Sequence, residues 1–228
     1  MFGIPTVSEL RAQQWESLYL FGLGYRRRGP DLQYDGVRPG PGWVAHGYFS
    51  RWLWVLGASG PHRVRLWKHR WRDKASGRST HSRPPDELGR LSVCSLTFAL
   101  LIFGWLSGVG GAARHEAAAV GLEQARSRRT LQRWVRRAAP RAMDSQQAIR
   151  LAIIERSEPR PMERLFPAGL SPPEQLGRRP WRDPQAVTIL WRGLAMFFTA
   201  AVRLKVPAPI LLAEAQRRSA TPEKPLWI

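Results

Sequence analysis

Between Arg90 and Arg114 the chain runs for 23 residues without a charged side chain. Such a stretch has two homes, the interior of a protein core or the hydrocarbon of a bilayer. Ser92, Ser95, Thr97 and Ser107 dilute its hydrophobicity, and Gly104, Gly108, Gly110 and Gly111 interrupt it, each glycine weakening a helix by about 1 kcal/mol relative to alanine. The expectation is a core helix over Leu91–Leu106. The alternative is a small basic membrane protein with a span at 91–113 and a weaker one at Val187–Val202, the latter interrupted by Arg192.

The charge balance points to a polyanionic partner. Lysine and arginine number 36 against 17 aspartates and glutamates, a formal net charge of +19. All of the basic residues but Lys68, Lys74, Lys205 and Lys224 are arginines, whose planar five-donor fork suits phosphates and guanine edges. Cys94 is the only cysteine, so neither an internal disulfide nor a four-cysteine zinc site is available, and a reducing compartment is expected. Glu9, Arg11 and Glu16 break up the N-terminal stretch and argue against a secretory leader.

Composition and periodicity divide the chain into five parts. Residues 1–42 read as a flexible arm, with a short helix at Val7–Tyr19 and a Gly/Pro/Arg-rich segment from Gly22 to Gly42. Residues 43–85 read as a β-hairpin module, in which Val64 and Leu66 alternate with Arg63, Arg65 and Trp67, giving one buried and one basic face. Residues 86–156 are helical, 157–184 form a Pro-rich linker, and 185–228 hold a helical pair, Gln185–Arg203 and Ile210–Arg218. The fold class is therefore α+β, mostly helical.

Within 86–156 three helices are expected, at Leu91–Leu106, Ala112–Val120 and Arg128–Ala138, with Gly121 closing the second and Ser127 capping the third. That is the spacing of a helix-turn-helix. On the third helix Leu131, Trp134, Val135 and Ala138 recur at helical intervals as one apolar stripe. The other face carries Arg129, Gln132, Arg133, Arg136 and Arg137. A recognition helix needs one side anchored and the other supplied with donors, so the expected DNA contacts are Ser127, Arg128, Arg129, Thr130, Gln132, Arg133, Arg136 and Arg137.

Thr130-Leu131-Gln132-Arg133-Trp134 resembles the T-L-x-R-W signature of helix-turn-helix segments in bacterial transposases and insertion-sequence proteins. His46-Gly47-Tyr48-Phe49-Ser50-Arg51-Trp52 is similar to an H-G-x-Y-x-R segment, and Arg72–Thr80 with Ser82 and Pro84-Pro85 to an R-C-x-x-C-G-R-T-x-S-x-x-P segment. Both occur in short insertion-sequence proteins that join a zinc ribbon to a helix-turn-helix. The resemblance covers roughly residues 40–140 and, more faintly, the C-terminal helices. It implies recognition of mobile-element ends. It also implies a zinc site, yet Asp73 and Ser76 stand at the cysteine positions and no cysteine precedes His46. A carboxylate and a hydroxyl do not replace thiolates in a tetrahedral site, and His46, His62, His69 and His81 are scattered, so no metal and no cofactor is expected.

Nothing in the sequence suggests catalysis. The carboxylates after the third helix, from Asp144 to Glu223, fall mostly in Pro-rich or charged segments without the strands that a two-metal nuclease core requires. Nucleotide-binding loops, zinc-protease helices and nucleophile elbows are absent from the sequence, and Cys94 lies in an apolar run with no base near it. The expectation is a non-catalytic, cytoplasmic, nucleoid-associated protein that binds double-stranded DNA. A transposase or a second copy of the chain is the further partner, and no small-molecule substrate is expected.

Overall fold

The computed structural model describes residues 23–57, 60–84, 87–88, 91, 93–108, 128–156, 161–166, 169–177, 181–221 and 226–227. Val7–Tyr19, Ala112–Val120, Gly121 and Ser127 lie outside them, so the expected N-terminal helix and the first two parts of the helix-turn-helix junction are not described.

The protein is α+β. Two long antiparallel strands, β3 (Trp43–Gly57) and β4 (Gly60–Asp73), form the expected hairpin. Their β-branched and aromatic residues favour extended backbone, and a bulge between Ala45 and Tyr48, where Gly47 has φ of +82°, shifts the register. The sheet is larger than a hairpin, however. β1 (Arg26–Arg28) and β2 (Asp31–Tyr34) pair with each other, β2 runs parallel to β4 along Leu66–Lys68, and β5 (Ser79–His81) extends the same edge along Arg70–Arg72.

The reading of 1–42 as a flexible arm is thus corrected for its described part, 23–42. Tyr25 and Leu32 are buried, and the open edge of β4 satisfies the backbone of β2. Edge pairing and two apolar anchors outweigh a composition rich in Gly, Pro and Arg.

The uncharged run becomes α1 (Ser95–Ser107), every residue of which from Ser95 to Leu106 is buried. It enters the core from the end of β3, where the Cys94 N–H donates to the Trp54 carbonyl at 3.1 Å. Full burial of a Leu, Ile or Phe side chain contributes about 1.5–3 kcal/mol, which makes α1 the centre of the hydrophobic core. Its 13 residues span about 20 Å at 1.5 Å per residue, short of the ~30 Å hydrocarbon thickness of a bilayer.

α2 (Arg128–Ala138) packs on α1 and passes through a 3-10 turn (Ala139–Arg141) into α3 (Ala142–Arg156). The short helices α4 (Pro161–Leu165) and α5 (Glu174–Gly177) follow. Here the reading of 157–184 as a linker is also corrected. Leu165 and Leu176 are buried, and the Trp181 indole donates to the Leu176 carbonyl at 3.2 Å, so apolar side chains tie this Pro-rich segment to the core.

The expected helical pair is present as α6 (Pro184–Arg203) and α7 (Ala208–Arg218). Asp183 caps α6 by accepting from the Ala186 N–H at 2.9 Å, and Pro184 occupies the first turn, as helix starts favour. α6 lies against α1 and α3: Phe198 meets Phe103 at 5.2 Å and the Trp191 indole donates to the Ser107 hydroxyl at 2.9 Å. The C-terminal pair therefore shares one hydrophobic core with the preceding helices. Among the described residues α6 is the one helix long and apolar enough to cross a membrane, and most of its apolar side chains are buried in this core.

Candidate nucleic-acid interface

The phase of α2 agrees with the expected periodicity residue by residue. Leu131, Trp134, Val135 and Ala138 are buried, while Arg129, Arg133, Arg136 and Arg137 are exposed. Thr130 and Gln132 sit at the boundary, partly covered. The Trp134 ring packs against Phe98 of α1 with centroids 5.4 Å apart, so the helix is held by its apolar stripe to the most deeply buried element of the fold.

None of the four exposed arginines forms a hydrogen bond or ion pair with a described residue. Four exposed guanidinium groups on one helix face concentrate positive potential there. Arg128 begins the helix, but its side chain, like Ser127, lies outside the described set. Six of the eight expected contact residues are thus placed: Arg129, Arg133, Arg136 and Arg137 outward, Thr130 and Gln132 at the edge.

By contrast, Arg141 and Arg156, further along the chain, are engaged. Arg141 donates to Asp144, at 3.0 Å, and to Ser219, at 3.2 Å, and Arg156 pairs with Glu214. Asp144 also accepts from the Ser219 hydroxyl and the Ala220 N–H, both at 2.8 Å. Burial alone would raise the Asp144 carboxyl, but the Ala220 N–H, the Ser219 hydroxyl and Arg141 together hold it below the ordinary aspartate range. These groups brace the start of α3 against the end of α7.

The turn that follows β4 holds Asp73 and Ser76, which stand where the resembling proteins have cysteines. Asp73 and Ser76 do come together: Asp73 accepts from the Ser76 hydroxyl at 2.5 Å, the Ser76 N–H at 3.2 Å and the Ala75 N–H at 3.3 Å. Gly77, at φ +69°, completes the turn in a conformation that glycine tolerates best. The Ser76 hydroxyl, with the Ala75 and Ser76 N–H groups, holds the Asp73 carboxyl below its usual value. The carboxylate therefore serves the donors of its own turn. Among the described residues no three His, Cys, Asp or Glu side chains converge as a metal site would require. The donor set does not fit zinc.

Sequence reasoning missed a buried charge cluster inside the sheet. Lys68, 1 % exposed, donates to both Glu87 oxygens at 2.9 and 2.7 Å, and Arg51 donates to Glu87 at 2.7 Å and to the Leu91 carbonyl at 3.1 Å. Burial pushes the Lys68 ammonium below the usual lysine range, against the pull of Glu87. Tyr25 is pushed well above the ordinary phenol range by burial and by Cys94 and Glu87. Position 87 lies 19 residues beyond position 68, so no local periodicity announces the pairing. The cluster clamps the segment before α1 onto the sheet.

The basic face expected for β4 is present, with Arg63 exposed and Arg65 and Trp67 partly so, opposite buried Val64 and Leu66. No protein-family model matches the sequence, no curated protein matches it, and no solved structure matches its fold.

Proposed function

We propose that the chain is a non-catalytic DNA-binding protein whose principal contact surface is the arginine face of α2, used as the recognition helix of a helix-turn-helix. The observation that carries this reading is the pairing of Arg129, Arg133, Arg136 and Arg137, exposed and without a described acidic partner, with a buried stripe that fixes their direction. Phosphate neutralisation by such a face supplies affinity, and donors near the N-terminal half of the helix supply selectivity. The hairpin module, the helix-turn-helix and the C-terminal pair would then correspond to the parts of the insertion-sequence proteins that the sequence resembles. The setting is a mobile element and the nucleoid, the ligand is double-stranded DNA, and a transposase or a second copy of the chain is the protein partner.

Affinity for duplex measured against salt tests the reading. Arg136→Ala with Arg137→Ala is expected to weaken binding to all duplexes alike and to flatten the salt slope by about one unit per lost phosphate contact. Gln132→Ala or Arg133→Ala is expected to cost about 1–3 kcal/mol on a cognate site, selected from random duplexes, and little on random DNA. Equal losses from every substitution would reduce α2 to an electrostatic patch, and no loss would remove it from the interface.

A membrane reading has one observation in its favour, the length and apolarity of α6. Arg192, exposed midway along that helix, opposes it. Carbonate-resistant pelleting of expressed protein would support the membrane reading; elution from heparin only at high salt supports the DNA reading.

A further inference from the structure

The sheet has a second face whose composition is unlike that of α2. Strand register places Tyr48 opposite His69, Ser50 opposite Trp67, and Trp52 opposite Arg65, with Gln33 of β2 beside Trp67. Because side chains alternate across a strand, these residues share the face opposite Leu53, Val64 and Leu66, which are buried.

Along this face flat groups follow one another without a gap. The Arg63 guanidinium lies 4.8 Å from the Trp52 ring centre and that of Arg65 lies 5.2 Å from the same ring and 5.7 Å from Trp67. Arg28, from β1, lies 4.5 Å from Trp67 and 5.0 Å from Tyr48. Tyr48 in turn stacks on His69 at 4.8 Å, the planes 3° apart. Trp52 and Tyr48 remain 45 % and 40 % exposed, so the row leaves ring surface uncovered in water.

The acidic groups nearby are already engaged. Asp31 accepts from the Trp67 indole at 2.8 Å, and Asp35 is paired with Arg26 and accepts from Gln33. With Asp35 offset by Arg26 and Asp31 keeping its charge, Arg28, Arg63 and Arg65 still leave the row a positive balance. A stacked guanidinium still presents N–H groups at its edge, where a phosphate can meet them, and Trp52 and Tyr48 keep part of their ring surface exposed between such charges.

We propose that this outer face of the sheet is a binding platform for single-stranded nucleic acid, with bases laid on Trp52 and Tyr48 and phosphates held by Arg28, Arg63 and Arg65. A polyanion with flat, separable bases fits an alternating row of cations and rings. A duplex does not, because its bases are stacked on each other and present only their edges. The rigid hairpin sets the spacing of the rings, so little order is lost on binding. The platform lies on different elements from α2 and stands independently of the duplex reading.

Anisotropy of a fluorescein-labelled oligothymidylate of about 12 nucleotides, in the range of a single binding surface of this kind, tests the proposal on the full chain. A duplex of equal length is measured in parallel. Trp52→Ala with Tyr48→Ala is expected to weaken single-strand binding by about 10-fold or more, the effect of losing a stacking partner, and duplex binding by much less. Trp52→Phe with Tyr48→Phe is expected to restore most of the lost affinity. Alanine at Arg129, Arg133, Arg136 and Arg137 is expected to show the opposite preference, lowering duplex affinity more than single-strand affinity. Should the alanine pair fail to fold, Arg63→Lys with Arg65→Lys carries the test, since it keeps the charge and removes the planar stack, and a several-fold loss on the single strand is expected. No single-strand binding by the unaltered protein, undiminished binding by the alanine or lysine pair, or equal losses on single strand and duplex would overturn the proposal.

Discussion

Trp134 on α2 lies against Phe98 on α1, ring centres 5.4 Å apart and planes inclined at 36°. The contact joins the helix with the exposed arginines to the helix most deeply buried in the core. Truncating it tests whether the stripe is structural. Trp134→Ala is expected to cost about 3–5 kcal/mol of stability, the usual cost of losing a large buried aromatic. Urea unfolding at unchanged slope measures it; full stability with lost DNA binding would show that the indole faces the ligand.

The Lys68–Glu87–Arg51 cluster yields a second expectation. Glu87→Gln leaves a buried ammonium without its counter-charge and is expected to cost about 3–5 kcal/mol. Replacing all three charges, Lys68→Met, Glu87→Leu and Arg51→Met, is expected to recover most of that loss, because apolar groups of similar volume carry no desolvation penalty. Denaturation midpoints of the two variants check the difference. Equal losses in both would mean that packing volume rather than unpaired charge sets the cost.

Asp144 predicts an acid-sensitive joint between α3 and α7. Its carboxyl titrates lower in the folded chain than the ordinary 3.8, so the folded state binds fewer protons there than the unfolded one. The resulting stability is present above the unfolded pKa and is lost as pH falls through it towards the folded value. The stability gap between the native protein and Asp144→Asn is therefore expected to be constant near neutrality and to narrow below about pH 4. Melting temperatures of both proteins across pH 3–7 decide it; a gap independent of pH would mean that the carboxylate charge is not what holds the joint.

The turn at Asp73 predicts the absence of structural zinc. Purified protein dialysed against a weak chelator is expected to carry far less than one zinc per chain, and a chelator is expected to leave its melting temperature unchanged. Stoichiometric metal by elemental analysis would overturn this. Asp73→Ala is expected to loosen the turn by removing the acceptor of Ser76 and of two backbone N–H groups, visible as faster amide exchange at Ser76.

Local periodicity decided the parts of this protein whose information lies within one or two turns of chain. The amphipathic stripe of Leu131, Trp134, Val135 and Ala138, the alternation of Val64 and Leu66 with Arg63 and Arg65, the uncharged run of α1 and the C-terminal helical pair are all legible because each depends on neighbours within a few residues. What only the tertiary structure decided depends on partners far apart in sequence. The arm reading failed at Leu32 because the edge of β4 that pairs with it begins some thirty residues later. Glu87 finds Lys68 across the inner face of the sheet, and Arg28 reaches Tyr48 and Trp67 only because β1 and β2 fold onto β4. A local pattern sets which side of an element is apolar, but edge pairing, buried charge and shared surfaces follow from long-range packing, whose chain-closure cost leaves no periodic trace in sequence.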